Sequence, residues 1–190
     1  MEGVYSRCPE MESERFLLRF VSQNDCEDLL RVYSDEKAVP LFNSDNCHGD
    51  NFFYTTRERM RQAIDFWLSS YEQGYFVRWS VIDKASCTAI GTIELFNRQA
   101  DDFFGNCGIL RLDLRSDYER ENAITEILGL ILSRAFDLFD CRMIATKAIA
   151  QAQERRLALA QLGFAVRDER LIGHDGMAYG DYYVLRRIAA

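Results

Sequence analysis

Two periodicities alternate along the 190-residue chain. Residues 15–21, RFLLRFV, predict a first strand; after it Ser22 or Asn24 caps a helix reaching Ser34, because Cys26, Leu29, Leu30 and Tyr33 recur at helical spacing. The polar run FNSDNCHGDN reads as a loop. A second helix follows over 56–74, with Met60, Ile64, Trp67, Leu68 and Tyr71 on one side and Gly74 as its stop. The runs YFVRWSVID, AIGTIELFN and CGILRLDL then alternate at strand period, with Asp83–Lys84 and Asp101–Asp102 in the turns between them. They predict an antiparallel meander.

The second half interleaves helices and strands. Residues 123–139 form the most apolar helix, with Ile124, Ile127, Leu128, Ile131, Ala135, Phe136 and Phe139 facing the core. CRMIATKAI reads as a strand, and QAQERRLALAQLGF as a helix ended by Gly163. FAVRDERLIG and DYYVLRRI predict a closing hairpin around Asp175 and Gly176. The order is strand, two helices, three strands, helix, strand, helix, two strands: a mixed α/β (α+β) sheet with helices on its faces.

Composition narrows the setting. Hydrophobic residues make up 48% and charged residues 28%, the profile of one soluble domain spanning 1–190. No apolar run reaches the length of a membrane span, and residues 1–15 lack the pattern of a secretory signal, which predicts a cytoplasmic protein that does not engage a membrane. Six cysteines stand singly, without a C-x-x-C pair, and His48 and His174 are the only histidines, so neither a zinc site nor a disulfide framework is expected. A net charge of −7 argues against nucleic acid and suits an amine-bearing partner, though acidity alone also describes an ordinary soluble surface.

Five stretches in order resemble the GNAT superfamily of N-acetyltransferases, in the branch of the ribosomal-protein N-terminal acetyltransferases. They are ESERFLLRFVSQNDCEDLLRVYSDEKAV, WSVIDKASCTAIGTIELF with an I-G turn at Ile90 and Gly91, CGILRLDLRSDYERENAITEIL, LGF at Leu162–Phe164, and DYYVLRR. The resemblance implies a GNAT fold, with about seven mostly antiparallel strands splayed between the fourth and fifth, and about four helices. It implies transfer of an acetyl group from acetyl-CoA to a primary amine, by a monomer or homodimer. Carried over, Leu112, Asp113 and Leu114 supply the hydrogen bonds to pantetheine, and Glu119, Arg120, Glu121, Asn122, Ala123 and Ile124 the pyrophosphate cradle at a helix N-terminus. Arg115 and Arg155 stand beside that cradle. Glu94 and Asp113 are the candidate general bases, because the attacking amine must be neutral.

The sequence departs from the family where the donor chemistry is densest. The loop pattern Q/R-x-x-G-x-G/A is here Glu119, Arg120, Glu121, Asn122, Ala123 and Ile124; Ala152 and Arg155 stand for the usual Asn and Ser, and Leu159 for a Tyr. Asn122 keeps its N–H and visits left-handed conformations more readily than most residues, whereas Glu119 and Glu121 oppose an anion. Acids in a helix's first turn also stabilise that helix without any ligand. Two alternatives stay open: a non-catalytic GNAT-fold binding or regulatory module, and an acyltransferase with a different thioester donor docked on Arg115, Arg120, Arg155 and Arg156. The aromatic cluster Phe52, Phe53, Tyr54, Phe66, Trp67, Tyr75 and Phe76 falls where the family builds an acceptor pocket, and most of those rings are expected in the core.

Overall fold

A computed structural model describes residues 3–187. Its main sheet begins at the edge with β1 (Met11–Glu12) and β2 (Phe16–Phe20). The helices α1 (Cys26–Tyr33) and α2 (Arg57–Glu72) follow. A 3-10 turn, Gln23–Asp25, precedes α1, and Ser22 donates its backbone N–H to Asp25 Oδ2 at 2.9 Å. The N-terminus of α2 is capped by Thr56, whose Oγ1 accepts the Arg59 N–H at 3.2 Å.

The meander is β3 (Val77–Asp83), β4 (Thr88–Arg98) and β5 (Cys107–Leu114). Then come α3 (Glu121–Leu138), β6 (Met143–Lys147) and α4 (Gln153–Gln161), which Gly163 ends at φ +84. Last are β7 (Ala165–Val166), β8 (Leu171–Ile172), β9 (Ala178–Tyr179) and β10 (Tyr182–Arg186). Eight strands run in the order β1-β2-β3-β4-β5-β6-β10-β7, antiparallel except for β5 and β6.

Two predicted details change. β7 pairs with β10, while the Asp175–Gly176 turn closes a separate hairpin of β8 and β9. Ile188, in the run predicted for the last strand, lies outside the described residues. Ile90 and Gly91 sit inside β4 next to a register shift at Val81/Ile82 and are not a turn. Gly91 is needed there for close approach: a Cβ would lie 2.2 Å from the Asp113 carbonyl oxygen.

The period-2 pattern sorts each strand between two cores. Val77, Trp79, Val81, Ile93, Leu95, Leu110, Leu112 and Leu114 pack under α3 and α4. The opposite face is covered by α1 and α2 through Leu29, Tyr33, Met60, Ile64 and Trp67. Each fully buried side chain of this kind contributes about 1.5–3 kcal/mol. On that opposite face the central strands place Arg78, Thr92, Glu94, Arg111 and Asp113, a charged layer inside the protein.

Candidate functional site

Strand register assembles the charged layer. Glu94 is paired with Arg78 on one side and Arg111 on the other, and Thr92 lies opposite Asp113. The Glu94 carboxylate is held by ion pairs with both guanidinium groups. Arg78 also reaches Asp113 Oδ2 at 3.1 Å and donates to Thr92 Oγ1 at 2.9 Å. Tyr33, from α1, donates its hydroxyl to Asp113 Oδ2 at 2.8 Å. Arg78, Asp113, Glu94 and Tyr33 are all buried.

The two carboxyls respond differently. Burial alone would raise the pKa of Glu94, but the facing charges of Arg78 and Arg111 outweigh it and hold Glu94 below the usual range. For Asp113 burial wins over Arg78 and the Tyr33 hydrogen bond, and its pKa is raised. Its Oδ1 is buried without a partner. Burial and the Asp113 charge push the Tyr33 hydroxyl well above its ordinary value.

A cavity of about 860 Å³ opens above this layer. Phe52, Tyr54, Trp67 and Phe76 wall it, Glu94, Arg78 and Arg111 lie at its floor, and both histidines stand at its edge. The Arg78 guanidinium stacks 4.3 Å from the Trp67 ring centroid. Phe66 and Tyr75 border the cavity with 64% of their surface exposed, so part of the predicted aromatic cluster is lining and part is core. Phe53 is exposed and does not line it.

β5 and β6 pair only over Cys107–Leu110 and Met143–Thr146, so Leu112, Asp113 and Leu114 run free of β6. The splay therefore starts at Arg111, one residue past the last paired position, and at the cavity floor. The opening is filled by the protein itself. Arg155, 2% exposed, donates through Nη1 to the Leu112 carbonyl at 2.9 Å and to the Leu41 carbonyl at 3.0 Å, and forms an ion pair with the buried Glu119. The preceding residue, Glu154, accepts the Glu121 N–H at 2.8 Å at the start of α3. Asn122 Oδ1 accepts the Ala123 N–H at 2.8 Å. Ile124 is inside α3 and buried, with its N–H bonded to the Arg120 carbonyl.

The remaining sequence candidates spread apart. Arg115 pairs with Asp117 at 2.7 Å on the surface, Arg156 donates to the Tyr183 hydroxyl at 2.7 Å, and Arg120 is exposed. Outside the splay, an open groove is lined by Arg120, Glu121, Asn122, Glu126 and Glu154, so three carboxylates face one guanidinium. Sequence reasoning missed Arg78, Arg111, Tyr33 and Glu154. The first two left a signal, an arginine inside the strand run VRWSVID and another inside ILRLDL, but their meeting at Glu94 depends on register. No candidate metal cluster of His, Cys, Asp or Glu occurs among the described residues. Among them, no helix is long and apolar enough to cross a membrane.

A family model described as the acetyltransferase (GNAT) domain matches residues 15–174. The chain belongs to the GNAT acetyltransferase family. Its fold agrees with solved GNAT structures. The ribosomal-protein-S5-alanine acetyltransferase of Vibrio fischeri superposes with a TM-score of 0.69 at 18% identity, covering 95% of this chain and 96% of the other. A GNAT-family acetyltransferase from Bacillus anthracis gives 0.69 at 13% identity, covering 94% and 98%. The ribosomal L7/L12 alpha-N-protein acetyltransferase RimL, solved in complex with coenzyme A, gives 0.69 at 12% identity, covering 94% and 98%. No curated protein matches the chain in sequence. The Leu112 carbonyl and the Glu121 N–H, which lie where the resemblance expects the donor, both already hold side chains of α4. A donor on these two groups would have to displace Glu154 and Arg155 from them.

Proposed function

We propose that this GNAT domain is an N-acetyltransferase that takes acetyl-CoA as donor and acetylates a primary amine seated in the aromatic cavity. The observation that carries the reading is the shared position of the two sites: Arg111 is at the cavity floor, and Leu112–Leu114, the next residues of the same strand, leave β6. An acceptor in the cavity is thereby brought to the splay, and proximity of this kind accounts for a large part of acyl-transfer rates.

The chain's own residues suggest a division of labour. Phe52, Tyr54 and Trp67 shield the acceptor from water. Glu94 spends one oxygen on Arg78 and the other on Arg111, and each carboxylate oxygen retains a lone pair for an incoming N–H. Held ionised, Glu94 orients an amine better than it removes a proton, since a carboxylate of lowered pKa is a weak base. Asp113, of raised pKa, lies behind it as the stronger acceptor of a proton within the same network.

The test is incubation of the purified protein with acetyl-CoA and a panel of free-amine peptides, polyamines and aromatic amines, with acetylated product read by mass spectrometry. Product on an amine that also protects the cavity supports the reading; absence of product across the panel, with the protein folded, rejects it. A second reading, a binding module without turnover, is favoured by one specific observation, the occupation of the donor's backbone partners by Glu154 and Arg155. It predicts cavity ligands that bind tightly and are never acetylated.

A further inference from the structure

We propose that Glu154 and Arg155 form an internal latch that occupies the acyl-donor site, and that the cleft between β5 and β6 admits a donor only when the first turn of α4 swings away. The inference rests on the reading of that cleft as the donor site. Its basis is a pairing of roles on adjacent residues. Glu154 places a carboxylate on the Glu121 N–H, where the N-terminus of α3 would meet an anion. Arg155 places its guanidinium on the Leu112 carbonyl, on the strand edge that β6 leaves unpaired.

The two turns of α4 are held in different ways. Its first turn is held through polar contacts: Arg155 to Glu119, Leu41 and Leu112, and Arg156 to Tyr183. Its second turn is anchored in the core by Ala158 and Leu159, both 0% exposed. Ala152, at the N-cap, makes no side-chain cap, so the α4 start is not pinned by the usual device. Because the two latch residues are consecutive, one displacement frees both backbone partners. Because Arg155 also bonds the Leu41 carbonyl, the same displacement unties the segment that leads into the cavity wall.

The experiment is calorimetric titration of acetyl-CoA into the full chain, as wild type, as Glu154→Ala and as the paired variant Glu119→Gln with Arg155→Ala. The pairing avoids leaving a buried charge without a partner. Glu154 is half-buried, so Glu154→Ala keeps the test open if the paired variant fails to fold. Hydrogen exchange of residues 152–157 is followed in parallel. The latch predicts at least tenfold tighter donor binding in Glu154→Ala than in wild type, and faster exchange at 152–157 when wild type is saturated with acetyl-CoA. Equal affinity in wild type and variants overturns the latch while leaving the donor site in place. Undetectable binding in all folded variants overturns both the latch and the donor reading.

Discussion

The aromatic cavity and the splayed-strand cleft are neighbours built from the same strand, and each contains a buried arginine–carboxylate pair. In the cavity Arg78 and Arg111 lie in the floor, both paired with Glu94 and Arg78 also over the Trp67 ring, and leave about 860 Å³ above them. In the cleft Arg155 projects from a helix into the opening and fills it. The difference teaches that a buried ion pair shapes a site by where its side chains originate. Charges rooted in the sheet form a surface for a ligand, whereas a charge reaching in from a covering helix takes the ligand's place.

Removing the arginines separately sharpens that contrast most. Arg78→Met strips two buried carboxylates, Glu94 and Asp113, of their shared partner, and a loss of about 3–5 kcal/mol in urea unfolding is expected, as for a broken buried pair. Arg155→Met strips only Glu119 and is expected at or below the low end of that range. A greater loss for Arg155 than for Arg78 would break the comparison.

Trp67→Ala tests the cavity wall, with an expected loss of about 3–5 kcal/mol from a buried indole. Phe66→Ala, at the exposed rim, is expected to change stability by less than about 0.5 kcal/mol while weakening any ligand that protects the cavity. Tyr33→Phe removes the hydroxyl donor to Asp113 and is expected to cost about 1–3 kcal/mol, read from the shift in urea midpoint.

A smaller effect concerns pH. Glu94 has a lowered folded-state pKa, so its contribution is present above the unfolded value of about 4.3 and is lost as pH falls through the folded value. Asp113 has the opposite sign: its raised pKa makes the folded state the better proton binder, so its contribution weakens as pH rises above about 3.9. Urea midpoints measured from pH 3 to 7 should therefore show a shallower acid loss in Glu94→Gln and a steeper rise with pH in Asp113→Asn. Identical slopes in both variants would mean the two carboxyls do not titrate as their surroundings require.

The alternation of apolar and polar residues determined most of the fold. The meander, the apolar helix α3 and the order of elements follow from period and turn residues, because a strand or helix must bury one defined face. Local chemistry also put the start of α3 at residue 123, two residues past the observed Glu121, and expected Glu119 and Glu121 in its first turn, where only Glu121 stands. It did not reveal that β7 pairs with β10 while Asp175 and Gly176 close a small hairpin of their own, since the choice between distant and nearby partners for a short strand leaves no local trace. Tertiary structure alone decided how the charges meet. Glu94 finds Arg78 and Arg111 through the register of three strands, and Glu154 with Arg155 reaches α3 and β5 through the packing of α4. A side chain's identity is written in the sequence, but its electrostatic role depends on partners brought within hydrogen-bond distance from 16 to 114 residues away.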